Sequence, residues 1–338
     1  MLRAAMRFIV FMTALSPAAI LAAPVTLKLS FFTSDRSAAY ECQVRPFVDA
    51  VNAEGADIVE IKVLFGGRGA INTAIPEQPR LVRDGSADLA IIVPGLSAGF
   101  GDTAVLQMPG LYRDEREASL VFTRLVEAGA LEGYGAFYVA GAYVSAAENV
   151  HSRRPLPSLG ALKGQTIRVN NAVEAAVLRR LGATAVLLPI NRAMDGLSDG
   201  TLDGVTVPPS MVFEFGFGRV TEHHYLIELG GAPVALVMNR DRFASLPAPA
   251  QEIIRKFSGE RLAERAAACA AAKNRDVLEK LNASPRRMLA EPTASDLVTI
   301  RDIESSVLRD WAAESPHNRE LLERVTTELA KLRKETPQ

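Results

Sequence analysis

From Val25 onward the apolar residues follow two alternating spacings. The stretch "VTLKLSFF", residues 25–32, alternates with period two and reads as a strand, whereas residues 38–53 repeat at helical spacing. "VEIKVLF", a short helix over about 76–84 and "DLAIIV" follow. This strand–helix alternation predicts a parallel sheet covered by helices. A second copy starts at "QTIRV": a helix over 171–181 stopped by Gly182, "TAVLLP", a helix over 191–199, then "DGVTVP". The two copies share a cassette. Asp84-Gly85-Ser86-Ala87-Asp88 precedes one strand and Asp199-Gly200-Thr201-Leu202-Asp203 precedes the other. Each glycine can take the left-handed conformation that ends a helix, and each second aspartate can sit at a strand start. Two related α/β domains are expected.

Between the copies, "GAFYVAGAYVSAAENVHS" is strand-rich and "RRPLPSLGALKG" is loop-like, which puts a domain crossing between Tyr143 and Ser158. "PVALVMN", residues 233–239, is a further buried strand. The run "EIIRKFSGERLAERAAACAAAKNRDVLEKL", within a long helix expected over about 250–282, has high helix propensity over about 45 Å, long enough to brace both domains. The C-terminal "NRELLERVTTELAKLRKE" is amphipathic through Leu321, Leu322, Val325, Leu329 and Leu332, and is expected to pack on the second domain. The expected division is residues 1–23 as a leader, 24–145 with 235–270 as the first domain, and 146–234 with 271–338 as the second.

A chain of 338 residues suits two cores better than one. Its net charge of -1, without long single-sign runs, gives no footprint for nucleic acid or anionic lipid. At the N-terminus Arg3 and Arg7 precede "FIVFMTALSPAAILAA", an apolar run ending in small residues, as in a cleaved signal peptide. Pro17 and the run's length, under the roughly 20 residues a span needs, argue against an anchor. The expectation is export to the periplasm, with no membrane insertion after cleavage. In such a compartment Cys42 and Cys269 can form a disulfide, yet their alanine-rich helical contexts suit buried free thiols equally, and both readings stay open.

The sequence offers little for catalysis. It has no G-x-S-x-G elbow, and Cys42 lacks a motif context. His151, His223, His224 and His317 show no metal spacing and are expected at or near the surface, and the adjacent pair cannot place both rings on one face. "GGRGA", residues 66–70, has neither a dinucleotide fingerprint nor a P-loop lysine. No cofactor and no metal are expected.

A binding site is left. In α/β sheets ligands collect at the carboxyl ends of strands, and two domains offer a cleft between two such edges. Those ends place Phe32, Arg68, Gly95, Tyr143, Arg168, Asn170, Ile190, Asn191, Val207 and Pro208 at the cleft, with Met211 beside them. Arg168 stands out. A strand-end guanidinium is always charged and is costly to desolvate without an anion, and its fork matches a carboxylate. The anion is either an Asp or Glu of the chain or a ligand; the residues alone leave both open.

The run "LKGQTIRVNNAVEAAVLRRLGATAVLLPINRAMDGLSDGTLDGVTVPPS" resembles the solute-binding subunits of tripartite ATP-independent periplasmic (TRAP) transporters. The matching positions are Lys163, Gly164, Ile167, Arg168, Val169, Leu181, Gly182, Ala183, Pro189, Gly200, Asp203 and Gly204. "FGGRGA", "LVRDGSADLAII" and "MPGLYRDEREA" extend the likeness into the N-terminal half. The resemblance implies a periplasmic-binding-protein clamshell of two α/β domains, a long helix spanning both, and a ligand carboxylate anchored by Arg168. It also implies membrane permease subunits as partners and no enzymatic activity.

Departures from the pattern bear on the ligand. Where members taking polar sugars or dicarboxylates often carry asparagine after the D-G, this chain has Val205, Thr206, Val207 and Pro208. The second arginine that some members place before the crossing has no counterpart in "AGAYVSAAENV". With Ile190, Val207, Met211, Phe213 and the Phe31–Phe32 pair nearby, a monocarboxylate with an apolar or aromatic body is expected. A ligand-binding module for a sensor kinase or chemoreceptor would need the same clamshell, and a neighbouring permease gene separates the two. An exported enzyme acting on a carboxylate would need a paired acid and base with recognisable spacing, which the sequence lacks.

Overall fold

A computed structural model describes residues 23–66 and 74–335. The strands are β1 (Val25–Phe31), β2 (Val59–Phe65), β3 (Leu89–Ile92), β4 (Phe137–Val144), β5 (Asn149–Ser152), β6 (Thr166–Val169), β7 (Thr184–Leu187), β8 (Gly204–Val207), β9 (His223–Tyr225), β10 (Pro233–Asn239) and β11 (Met288–Ala290). They form two sheets, ordered β2-β1-β3-β10-β4 and β11-β9-β5-β8-β6-β7. The helices are α1 (Arg45–Glu54), α2 (Gln78–Arg83), α3 (Glu115–Glu127), α4 (Ala172–Arg180), α5 (Ala193–Asp199), α6 (Met211–Glu214), α7 (Arg240–Ala244), α8 (Ala248–Lys256), α9 (Glu260–Asn282), α10 (Ala294–Ala313) and α11 (Pro316–Glu335).

The two copies read in the sequence become one motif drawn twice. In the first sheet β1 lies between β2 and β3, all parallel. In the second, β6 lies between β7 and β8, again parallel. Each sheet then departs from the all-parallel expectation at the same place. β10 enters antiparallel beside β3, and β5 enters antiparallel beside β8. Both intruders come from the chain's crossings between the sheets.

The cassettes do identical work. Gly85 and Gly200 adopt φ of 76° and 85°, the left-handed region. The second aspartates then pin the first strand of each triplet: Lys28 N donates to Asp88 Oδ2 at 2.7 Å, and Thr166 N donates to Asp203 Oδ2 at 2.8 Å. The backbones of the same residues also pair, Asp88 N to Lys28 O at 2.9 Å and Asp203 N to Thr166 O at 2.8 Å.

The long helix is present with a bend. The run from Ala248 to Asn282 breaks at Gly259, whose φ is 73° and whose N–H donates to Ala140 O at 2.9 Å. Leu262 and Ala266 of α9 enter the first lobe's core, while Val277 and Leu281 enter a core of the second. One rod thus belongs to both. Cys42 and Cys269 form a disulfide that ties the residues before α1 to the middle of α9, which settles the question the sequence left open.

The C-terminal helix corrects the expectation. Leu321, Val325 and Leu329 of α11 pack into the first lobe's core with Val121, Phe122 and Leu125, not onto the second domain. Charges add to this seating. Arg333 Nη2 bonds Glu117 at 2.7 Å, and Arg124 Nη2 bonds Glu335 at 2.7 Å. The chain therefore crosses a fourth time, between α10 and α11, after the crossings at β4–β5, at β9–β10 and along α9. Hydrophobic spacing names a buried face without naming its partner.

The glycines of the cassettes make a direct test. Gly85→Ala and Gly200→Ala should each cost about 1–2 kcal/mol, the penalty of a Cβ at positive φ, read as a shift in the urea midpoint. Equal losses would support the mirrored role, and no loss at either site would contradict it.

Candidate functional site

Strand β6 turns Ile167 and Val169 into the second lobe's core and leaves Arg168 on the opposite face. Among the described residues Arg168 is the largest fully buried side chain, 0% exposed. Its Nε donates to Leu188 O at 2.6 Å and its Nη1 to Thr206 O at 3.2 Å, carbonyls of the segments on either side. Nη2 is buried and has no hydrogen-bond partner. The backbone thus fixes the fork and leaves one prong over.

Two carboxylates stand close to this charge without forming an ion pair within contact distance. Glu174 lies in the first turn of α4, three residues after its N-cap Asn171, whose Oδ1 accepts Glu174 N at 2.9 Å. Its carboxylate accepts from Asn170 N at 3.1 Å, from Asn171 Nδ2 and from Thr206 Oγ1. Glu148, 1% exposed, comes from the crossing between β4 and β5. Its side chain meets that of Asn170, and its Oε2 is buried without a partner. Burial pushes both glutamates above the ordinary carboxylate range, Glu148 much further, with Glu174's charge adding to it. The same burial pulls the Arg168 guanidinium down, opposed by both carboxylates.

The other expected site residues are distributed around this cluster. Asn170 is part of it. Tyr143 is buried at the end of β4, its phenol pushed up by burial and by the Glu214 carboxylate. Phe32 is half-buried and stacks on Phe31 with centroids 5.6 Å apart. Ile190 and Met211 are half-buried against the core that holds Val207, itself 0% exposed. Pro208 is buried, whereas Gly95 and Asn191 are exposed. Arg68 lies outside the described residues. Phe213 faces outward, 42% exposed, with the Arg287 guanidinium 5.3 Å from its ring. Sequence reasoning missed Glu148 and Glu174. The N-x-x-E spacing of a helix start signals Glu174; nothing in the pattern signals Glu148.

The lobes meet at the crossing and between the segment after β1 and α6. Glu148 N donates to Gly230 O at 2.7 Å, Leu229 N to Glu148 O at 2.8 Å, and Ser145 N to Ala232 O at 2.9 Å, so the two crossing segments run as a paired ribbon. At the other end Ala38 N, after β1, donates to Glu214 Oε2 of α6 at 2.9 Å.

Residues 72–315 match the bacterial extracellular solute-binding proteins of family 7. The chain belongs to that family. Its architecture is that of TRAP solute-binding proteins. A Bordetella bronchiseptica TRAP periplasmic solute-binding protein with bound mandelate superposes with TM-score 0.80 at 20% identity, covering 91% of this chain and 100% of that one. A marine metagenome TRAP solute-binding protein specific for aromatic acid ligands, in complex with 3-hydroxybenzoate, gives 0.83 at 19% identity, covering 92% and 99%. One from Rhodoferax ferrireducens in complex with benzoate gives 0.81 at 21%, covering 91% and 98%. Among curated proteins, a solute-binding protein of Verminephrobacter eiseniae is 27% identical over 57% of this chain and 61% of its own length. The 2,3-diketo-L-gulonate-binding periplasmic protein YiaO of Escherichia coli is 26% identical over 51% and 54%. The chain thus spans little more than half the length of these two relatives. Among the described residues no helix is long and apolar enough to cross a membrane.

Two features of this TRAP-type chain lie behind the cluster. A cavity of about 500 Å³ opens beside the crossing, lined by Glu115, Glu228, Arg275, Arg301 and Glu304 among others; none of the expected ligand residues that are described lines it. The second feature corrects an expectation. His151 and His224 are fully buried, not near the surface, because the register of β5 on β9 sets them opposite each other. Their Nδ1 atoms are 2.7 Å apart, and His151 Nε2 is 3.1 Å from Val207 O. The carbonyl requires a proton on His151 Nε2, so its Nδ1 accepts and His224 Nδ1 donates. The pair holds the carboxyl end of β8, where Val207 and Pro208 stand.

Burial lowers His151 to about 4, and burial with the neighbouring His151 charge lowers His224 to about 3. Both are neutral in the folded protein and become charged near pH 6.5 when unfolded. The stabilisation is complete above pH 6.5 and is lost as pH falls from there towards 4 for His151 and towards 3 for His224. Thermal melts should therefore show Tm falling over this window, and His224→Phe should flatten the fall. An unchanged pH profile in that variant would contradict the assignment.

Proposed function

We propose that this protein is a periplasmic receptor that captures an organic monocarboxylate in the interlobe cleft and hands it to TRAP-type permease subunits. The observation that carries the reading is the unpartnered Nη2 of Arg168. Two prongs of the fork are committed to backbone carbonyls, and a buried charged donor left unpaired is expensive. A ligand carboxylate at that point would satisfy it. Ile190, Met211, Phe32 and Tyr143 supply apolar and aromatic surface at the strand ends, which favours an apolar or aromatic body. The benzoate, mandelate and 3-hydroxybenzoate held by proteins of the same fold support the same ligand class. The reading has no place for catalysis. Secretion through a leader at residues 1–23, which lie almost wholly outside the described residues, completes the proposal.

A thermal-shift screen of mono- and dicarboxylates, sugars and amino acids tests it. An aromatic or branched monocarboxylate at about a thousand times its Kd should add roughly 4 kcal/mol to the folded state and raise Tm by several degrees. Arg168→Lys keeps the charge but loses the fork, and should weaken that acid roughly 10- to 100-fold. Tighter binding of dicarboxylates would overturn the pocket assignment. A Lys variant that binds as well as wild type would remove Arg168 from the site.

A further inference from the structure

The cluster around Arg168 holds one cation and two carboxylates, all buried. If both carboxylates were ionised the site would carry a net negative charge and repel the acid it is built to hold. The hydrogen bonds decide which of them carries a proton. Glu174 accepts three donors, Asn170 N, Asn171 Nδ2 and Thr206 Oγ1, and sits in the first turn of α4, where a helix favours negative charge. Glu148 has only the side chain of Asn170, and its Oε2 has no partner. On these contacts Glu174 is the better-stabilised anion beside Arg168, and the free oxygen of Glu148 is the better seat for a proton.

That assignment turns two orphan atoms into a matched pair. With that proton, Arg168 Nη2–H and Glu148 Oε2–H are two buried donors without acceptors, and the charges of Arg168 and Glu174 both act on Glu148. One carboxylate would accept from both. We propose that Glu148, as a neutral carboxylic acid, is the second donor to the ligand carboxylate, so that the acid is gripped between a guanidinium and a protonated carboxyl. A carboxyl kept neutral in order to donate is a known device of buried sites. The charged groups acting on Glu148 are Glu174 from α4 and Arg168 from β6. The crossing ribbon contributes only the backbone of Leu229 and Gly230. This inference rests on the receptor reading and assigns a specificity-determining residue within it. On that reading a ligand with a second carboxylate would find no further cation among the described residues of the cluster.

Infrared spectroscopy and calorimetry with benzoate as probe test it on the full chain. Near neutral pH the wild type should show the carbonyl band of a buried protonated carboxylic acid, absent in Glu148→Gln and shifted when benzoate binds. Glu148→Gln keeps an N–H donor and should bind benzoate within about threefold of wild type, whereas Glu148→Ala should bind it roughly tenfold or more weakly. Identical spectra of wild type and Glu148→Gln in this region, or undiminished binding by Glu148→Ala, would overturn the proposal while leaving an Arg168-dependent receptor intact. If neither benzoate nor mandelate binds wild type, the aromatic-acid receptor reading itself fails, and this inference with it.

Discussion

The second lobe is organised around a positive charge taken out of water. Burying a guanidinium costs several kcal/mol unless its donors and its charge are matched. The surroundings of Arg168 answer that demand step by step. Leu188 and Thr206 offer carbonyls from the segments following β7 and within β8, so the two strands flanking β6 must end in register with it. Thr206 Oγ1, with one proton to give, lies 3.2 Å from Arg168 O and closer to the Glu174 carboxylate, to which it donates, and this fixes the start of α4 against the sheet. The His151–His224 pair then holds Val207 from behind. A single buried charge thus specifies the register of three strands and the seating of one helix.

Much of the fold was legible because it rests on local chemistry. The period-two and helical spacings fixed nearly every element of the two βαβαβ units, and the D-G-x-x-D cassettes announced the repeat. The antiparallel strands β5 and β10 were legible as strands but not in direction. Alternation says which face is buried, whereas direction is set by where the chain comes from. The bend at Gly259 and the docking of α11 on the first lobe were lost for a similar reason. An apolar stripe of leucines is indifferent to which core receives it.

The site divided along the same line. Arg168 was legible since a charged residue inside an apolar strand has few purposes. Its two carboxylate neighbours were not. Glu174 is three residues from a helix cap and reads as capping chemistry, and it does serve that end. Glu148 lies 20 positions upstream in an alanine-rich stretch and reaches Arg168 only through the sheet crossing. The burial of His151 and His224 likewise depends on a pairing of strands far apart in the chain. Contacts of this kind come from topology, and a pattern along one chain does not hold them.

The position of Glu148 bears on how binding and lobe movement are joined. Its backbone is part of the crossing ribbon, bonded to Leu229 and Gly230, while its side chain enters the Arg168 cluster. A ligand shifts a conformational equilibrium only through interactions that differ between the two states. With the lobes apart, water can satisfy Arg168 Nη2 and Glu148 Oε2. With the lobes in contact, as at Ala38 and Glu214, both atoms are shut off from water. Each then costs about 1–3 kcal/mol unless an acceptor arrives with closure. On the receptor reading proposed above, an empty cleft would be penalised for closing and a filled one relieved of that penalty, and the two orphans would supply the differential free energy that makes closure depend on cargo.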